Sequence, residues 1–215
     1  QHRFGVNQRT IFKNKGIMPD VLSMSATPIP RTYALTIYGD MDVSSIKTKP
    51  EGRKEVITYF KKEKEIYDVL SMMKKELDLN HQIYVIAPAI EQDDSEQNKS
   101  VLKLKEQMGK AFGKIAKIGI VHGKLNSEEK NKVMSEFEQG KIDILISTTV
   151  IEVGGDVKNS TMMVIFNAER FGMSTLHQLR GRVGRNDLQS YCYLISDHEA
   201  ERLKVLEESN DGFYI

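Results

Sequence analysis

The sequence has 215 residues, of which 40% are hydrophobic and 28% are charged. That length allows one or two domains of ~100–150 residues, and the composition excludes wholesale disorder. No run approaches the ~20 apolar residues of a membrane span, and the first residues lack the apolar segment of a secretion signal. The single cysteine, Cys192, excludes an internal disulfide framework. We therefore expect a cytoplasmic protein with no membrane partner.

The net charge is only +1, from 31 basic and 30 acidic residues. A dedicated nucleic-acid-binding domain usually carries a clear basic excess, so any contact with nucleic acid has to be local. The sequence has no initiator methionine and opens in the middle of a pattern. We expect it to be part of a longer chain.

Short apolar runs alternate with segments of helical period along the sequence. The runs predict strands at 21–24, 56–60, 83–87, 118–121, 142–146, 162–166 and 191–195, with a short one near 43–46. Apolar stripes predict helices over 63–79, 100–112 and 127–138, and Asn126 with Glu129 predicts a capping box at the last of them. This alternation indicates an α/β fold with a doubly wound, mostly parallel sheet and helices on both faces.

A polar stretch that contains Pro50 and Gly52 divides the sequence. Residues 1–48 hold one clear strand and are typical of the end of an α/β domain. Residues 49–54 are predicted to be a linker, and residues 55–195 hold a complete run of six predicted strands. We therefore expect the end of one domain followed by one whole domain.

Small polar residues follow several predicted strands. Ligands of open parallel sheets bind outside the carboxyl ends of the strands, and hydroxyls and free backbone N–H groups bind phosphate well. The residues at these ends are Ser25, Ala26 and Thr27, then His122 and Gly123, then Thr148 and Thr149, and beyond them Gly154 and Asp156. The alternative is that strands simply end in turn-forming residues.

The block from Gln178 to Arg185 carries the most specific pattern. If it is helical, Gln178, Arg182 and Arg185 lie on one face, and Arg180 points elsewhere. Two arginines on one face repel each other unless an anion lies between them, and this arrangement is typical of arginine fingers that serve a nucleoside triphosphate. The alternative is a solvated basic end of a helix.

A phosphate-binding P-loop is absent from this sequence. Such a loop needs Ser or Thr after its Gly-Lys pair. The four Gly-Lys pairs are followed by Ala111, Ile115, Leu125 and Ile142. The arginine pattern therefore needs a nucleotide-binding partner from elsewhere.

Together these motifs resemble superfamily 2 helicases and translocases. Ser25–Thr27, His122-Gly123, Thr148–Gly154 and Gln178–Arg185 are similar in order and spacing to motifs III, IVa, V and VI of that superfamily. The longer runs 25–32, 38–44, 167–172 and 176–185 resemble the RecG family of bacterial branch-migration helicases. Over nearly the whole chain the resemblance implies a RecA-like fold, residues 1–48 being the end of a first RecA-like lobe and 55–195 the second lobe.

The resemblance also implies roles for single residues. Arg182 and Arg185 would meet the triphosphate of ATP with support from Gln178, and Gly154 and Asp156 would lie near ATP. DNA would be contacted by His122, Gly123, Thr148 and Thr149, and Ser25, Ala26 and Thr27 would couple the two sites. Mg²⁺ and most of ATP would be held by the missing first lobe, so the isolated chain is expected to be inactive. Residues 196–215 resemble the start of a helical region that moves DNA.

The resemblance implies an ATP-dependent DNA helicase of the bacterial cytoplasm, associated with the nucleoid and acting on branched or forked duplex DNA. Two alternatives stay open within nucleic-acid binding, an Mfd-like translocase of double-stranded DNA and a non-catalytic DNA-binding or docking module. An unrelated metabolic enzyme would need a catalytic site of its own. The histidines give no metal-binding spacing for one.

Overall fold

The computed structural model describes residues 50–88, 94–148 and 157–212, together with isolated positions before residue 50. The chain divides into two compact units, Gln1–Ser45 and Ile46–Ile215. In the first unit the described residues 22–24, and 42–46 at its boundary, form no strand, although the sequence predicted strands there. Leu22 and Met24 are 82% and 72% exposed, and a strand forms only where a neighbour completes its hydrogen bonds.

The second unit is built on a six-stranded sheet in which every neighbouring pair is parallel. The strands are β1 (Ile57–Lys61), β2 (Gln82–Ile86), β3 (Ile118–Val121), β4 (Ile144–Ser147), β5 (Ser160–Phe166) and β6 (Tyr191–Ile195). Their spatial order is β1-β6-β5-β2-β4-β3. From β2 the chain moves toward one side of the sheet, and from β5 toward the other. The predicted doubly wound parallel sheet is confirmed.

Within the described part of this unit, five α-helices connect and follow the strands. They are α1 (Ile66–Asp78), α2 (Asp94–Phe112), α3 (Ser127–Glu138), α4 (Met173–Arg180) and α5 (Ala200–Glu208). The predicted capping box of α3 is present, since the amide of Glu129 donates to Asn126 Oδ1 at 2.8 Å and the amide of Asn126 donates to Glu129 Oε2 at 2.9 Å. This box satisfies two backbone donors that the first turn of a helix leaves unpaired.

The sheet is covered on both faces, which explains the near-continuous apolar runs of its strands. In β2 the side chains alternate, with Ile83 and Val85 packed in one core layer and Tyr84 and Ile86 in the other. Helices α1 and α2 contribute Val69, Met73, Leu104 and Met108 to the first layer. Helices α3, α4 and α5 contribute Met134, Phe137, Leu176, Leu179, Leu203 and Leu206 to the second. Both layers leave only the ends and margins of the sheet for polar groups.

Helix α5 and the residues after it cover the free margin of β1. Glu207 accepts a hydrogen bond from the backbone amide of Phe60, and Asn210 Nδ2 donates to Val56 O at 3.2 Å. An uncovered edge strand is a template for association with other chains, so these contacts protect the sheet. They also fix α5 to the second unit.

Arg180 joins α4 to this margin from inside the protein. Its side chain is 3% exposed, and Nη1 donates to Thr58 Oγ1, Leu206 O and Ser209 O at 3.2, 2.6 and 2.9 Å. Burial lowers the pKa of Arg180 from its usual value. The side chain therefore points into this margin and holds α4, β1 and α5 together.

We expect Arg180→Ala to lower the free energy of unfolding by about 2–4 kcal/mol, because it leaves buried carbonyl groups without a donor. Arg180→Lys keeps the charge but loses the fork of donors, so its loss is smaller. Arg170→Ala is the control, because Arg170 is exposed. Urea unfolding measures all three. Wild-type stability of the Arg180→Ala variant would contradict this role.

Candidate functional site

Those predicted site residues that the structure describes lie at opposite edges of the sheet. His122 follows β3 and Thr148 follows β4, so both lie at the edge where the strands have their carboxyl ends. Arg182 and Arg185 follow α4 and precede β6, so they lie at the edge where the strands begin. These are called the carboxyl edge and the amino edge below. A strand of five residues at ~3.3 Å per residue separates the two edges by roughly 16 Å.

The carboxyl edge presents His122 in a turn between β3 and α3. The backbone amide of Lys124 donates to His122 Nδ1 at 3.3 Å, and the amide of Leu125 donates to His122 O at 3.2 Å. Partial burial, then the charge of Lys124, lowers the pKa of His122 from 6.5, against an opposing effect of Glu129. The ring is therefore neutral at pH 7, and its Nε2 carries the proton because Nδ1 accepts. A neutral N–H donor remains for a ligand.

Gly123 leaves open space beside this turn. A Cβ atom at Gly123 would meet nothing within 4 Å, and its backbone has no positive φ. The fold therefore gives no reason for glycine at this position. A ligand that approaches the backbone closely would give one.

Thr148 lies directly after β4. It is 5% exposed, and its carbonyl accepts a hydrogen bond from Ser147 Oγ at 2.9 Å. The structure brings it to the same edge as His122, because β3 and β4 are neighbours in register, with Val121 opposite Ser147. The other predicted residues of this group and of the coupling and ATP-binding groups lie outside the described residues: Thr149, Gly154, Asp156, Ser25, Ala26 and Thr27.

At the amino edge, the condition for one helical face of Gln178, Arg182 and Arg185 is not met. Helix α4 ends at Arg180, so only Gln178 is helical. The amide of Gly181 still donates four positions back, to His177 O, but the amides of Arg182 and Val183 donate only three positions back. The chain then turns at Gly184, which has φ +74°. Two glycines within four residues cost the helix ~1 kcal/mol each, and the left-handed turn ends it.

The residues from 181 to 186 form a loop that we call the arginine loop. Its Gly184 amide donates to Ser190 Oγ at 3.0 Å, and Arg185 Nε donates to Gly181 O at 3.0 Å. Val183 is 2% exposed and anchors the loop in the core. Arg182 and Arg185 are half-buried on either side of this anchor. The loop therefore presents two guanidinium groups from a fixed backbone.

The charges of both arginines act on Tyr84 below the loop. Burial raises the pKa of the Tyr84 hydroxyl, while the charge of Arg182, a hydrogen bond with Ser160 and the charge of Arg185 oppose that rise. Both guanidinium groups therefore lie close enough to Tyr84 to act on it, and groups of this kind suit an anion such as a triphosphate. Within the described ranges, no group of three or more His, Cys, Asp or Glu side chains is placed to hold a metal ion. None of the described helices is long and apolar enough to cross a bilayer.

The contacts of Asn186 were missed by the sequence prediction. Its Oδ1 accepts from the amide of Leu188 at 3.0 Å, and its Nδ2 donates to Lys158 O, just before β5. An Asn directly after the arginine block was the only local indication, since Asn commonly forms such turns. Its partner is 28 residues away, and no periodicity predicts it.

We expect Gly184→Ala to lower the free energy of unfolding by about 1–3 kcal/mol, because a Cβ there lies 2.7 Å from Val56 Cγ2 and the φ is positive. Gly123→Ala is the matched control and should change stability by less than about 0.5 kcal/mol. Thermal unfolding compares the two. Equal melting temperatures for both variants would show that the arginine loop does not need its left-handed turn.

The chain matches one family of known proteins, both by a domain model and by relatives of similar sequence. The model of the helicase conserved C-terminal domain matches residues 61–187, which is more than half of the chain. The chain is 50% identical over 218 aligned residues to the ATP-dependent DNA helicase RecG of Staphylococcus aureus strain Mu50, covering 99% of this chain and 32% of that protein. The RecG helicase of Staphylococcus epidermidis strain RP62A gives the same identity and coverage.

Solved structures agree with this comparison. A structure of RecG bound to a three-way DNA junction matches with a TM-score of 0.79 and 44% identity, over 99% of this chain and 28% of that one. Yeast Dbp5 bound to RNA and ADP BeF3 matches with a TM-score of 0.57 and 17% identity, over 84% of this chain and 46% of that one, and supports the fold alone. The resemblance to RecG and the RecA-like fold predicted from the motifs are confirmed. The chain spans about a third of the length of its curated relatives, and it belongs to the helicase conserved C-terminal domain family.

Proposed function

We propose that the chain is the C-terminal motor lobe of a RecG-type, ATP-dependent DNA helicase that acts on branched or forked duplex DNA. One observation carries the proposal: the two predicted phosphate-contacting groups lie at opposite edges of one sheet. A motor lobe needs such a separation because it contacts DNA and a nucleotide at the same time. The 50% identity to RecG helicases over 99% of the chain supports the RecG type.

The amino edge would serve ATP. Guanidinium groups of Arg182 and Arg185 are suited to triphosphate oxygens and to the charge that develops during phosphoryl transfer. Gln178 would support them, and Gly154 and Asp156 would lie near the nucleotide. A first RecA-like lobe of the same protein would hold Mg²⁺ and the phosphates, because this sequence has no P-loop. Hydrolysis of the bond between the β- and γ-phosphates of ATP would supply the free energy for the motor.

The carboxyl edge would serve DNA. The Nε2–H of His122 and the exposed backbone at Gly123 would donate to backbone phosphates, and Thr148 and Thr149 would lie beside them. Such contacts position DNA without reading its sequence. The donors named here are uncharged, so the proposed contact needs no basic excess in a chain whose net charge is +1. Ser25, Ala26 and Thr27 would couple the two edges in the closed motor.

The division of the chain fits this assignment. We propose residues 1–48 as the end of the first lobe, 49–54 as a linker, 55–195 as the second lobe and 196–215 as the start of the DNA-moving helical region. The boundary between the compact units at Ser45 and Ile46 supports the first of these limits. The protein would work in the bacterial cytoplasm at the nucleoid.

An Mfd-like translocase is the alternative within the same chemistry. It would be stimulated equally by linear and by branched duplex DNA, whereas a RecG-type motor would prefer the branched form. A non-catalytic DNA-binding module is the other alternative, favoured by the missing P-loop. It would bind DNA and never support ATP turnover, even with its complete partner lobe.

We expect Arg182→Ala in the whole protein to lower DNA-stimulated ATP turnover by ~10³-fold or more while DNA binding persists, because an arginine finger acts on the transition state. Lys74→Ala is the control, since it also removes one positive charge but Lys74 pairs with Asp78 on an exposed face of α1. A phosphate-release assay and fluorescence anisotropy measure the two activities. Turnover by Arg182→Ala within three-fold of the wild type would refute the finger, and turnover by the isolated chain would refute the two-lobe motor.

DNA affinity should increase as the pH falls through the lowered pKa of His122, below 6.5, because protonation adds a positive charge beside the phosphates. In His122→Gln a neutral donor remains but this titration is lost, so the increase from this residue disappears. Anisotropy titrations of the chain between pH 7.5 and 5.5 at fixed salt compare the two proteins. Identical pH profiles would place His122 away from DNA.

A further inference from the structure

Asn186 connects the arginine loop to the start of a central strand. It directly follows Arg185, and its Nδ2 donates to Lys158 O, two residues before β5. Its Oδ1 accepts from the amide of Leu188 at 3.0 Å, so both ends of the amide are used. One side chain therefore bridges two segments that are 28 residues apart in the sequence.

The segment that receives Asn186 is itself firmly fixed. Val157 is 3% exposed, and its carbonyl accepts from both the amide and the hydroxyl of Ser160, at 3.1 and 2.7 Å. Ser160 begins β5, which pairs with β2 and β6 on its two sides. A hydrogen bond to Lys158 O therefore ties the arginine loop to the residues that lead into the doubly paired strand β5.

The other contacts that fix the arginine loop involve residues before Arg185, so Asn186 is the residue that fixes the end of the loop. Val183 packs in the core, and the Gly184 amide is bonded to Ser190 Oγ. Arg185 comes after both of these anchors, so its backbone is held on its C-terminal side by Asn186. A misplacement of a catalytic group by ~1 Å can cost on the order of 10²-fold in rate.

We propose that Asn186 is a positioning residue that holds the arginine loop on the start of β5, so that Arg185 and Arg182 face the triphosphate in the productive geometry. This inference rests on the proposed function of the loop and adds a residue to it. Asn186 itself contacts no substrate and takes no part in phosphoryl transfer.

The chain offers a matched control for this bond. Asn159, one residue after Lys158, also donates its side-chain amide to a backbone carbonyl, Asn80 O at 2.7 Å. That bond lies at the same edge of the sheet but leads to the turn between α1 and β2. Asn159→Asp and Asn186→Asp therefore remove the same kind of bond, and only one of the two bonds reaches the arginine loop.

The test measures kcat and KM for ATP of the whole protein with saturating forked DNA, together with the melting temperature. We expect Asn186→Asp and Asn186→Ala to lower kcat by about 10–100-fold with KM within three-fold of the wild type. Asn159→Asp should keep wild-type kcat even where it lowers the melting temperature as much. Amide exchange of Leu188 should be faster in Asn186→Ala than in Asn186→Asp, which keeps the Oδ1 acceptor.

Three results would overturn the inference. The first is a wild-type kcat in both Asn186 variants, and the second is a loss of kcat in Asn159→Asp as large as in the Asn186 variants. The third is a loss of kcat in Asn186→Asp but not in Asn186→Ala, which would assign the effect to the added charge. Arg182→Ala separates this inference from the proposed function. If Arg182→Ala abolishes turnover while the Asn186 variants keep it, only the positioning role fails. If Arg182→Ala keeps turnover, the proposed role of the arginine loop in ATP cleavage fails, and the positioning role of Asn186 fails as well.

Discussion

A parallel sheet that is buried on both faces has only its two edges available for polar chemistry, and this constraint organises the whole second unit. The side chains of β2 are divided between two apolar layers, so no ligand can reach the middle of the sheet. Each connecting helix carries the chain from the carboxyl edge back to the amino edge. The place of a residue in the order of strands and helices therefore decides which edge it occupies.

This rule separates the two groups of predicted site residues. His122 and Thr148 come directly after strands, whereas Arg182 and Arg185 come after a helix. The two groups therefore lie on opposite edges, although both are suited to phosphate. Arg180, the last residue of α4, donates hydrogen bonds to Leu206 O in α5 and to Ser209 O directly after it. Helix α4 therefore links the arginine loop, which follows it, to the helix that covers β1.

Much of this architecture could be predicted from the sequence, because it depends on local periodicity. The run 83–87 became β2 within one residue at each end, and the Asn126 capping box formed as predicted. Long-range contacts could not be predicted. Arg180 bonds to Thr58 across 122 residues, and no local pattern encodes that pairing. The shared helical face considered for Gln178, Arg182 and Arg185 does not form, because the helix ends at Arg180. Gly184 then adopts a left-handed turn beside Val56, a neighbour that only the fold supplies.

The central claim is that one sheet serves DNA at its carboxyl edge and ATP at its amino edge. The most direct measurement is a structure of the whole protein with forked DNA and a non-hydrolysable ATP analogue. The account predicts DNA backbone phosphates within hydrogen-bond distance, about 3 Å, of the His122-Gly123 turn or Thr148, and the γ-phosphate at the same distance from Arg182 or Arg185. DNA along the arginine loop, or both ligands at one edge, would contradict it.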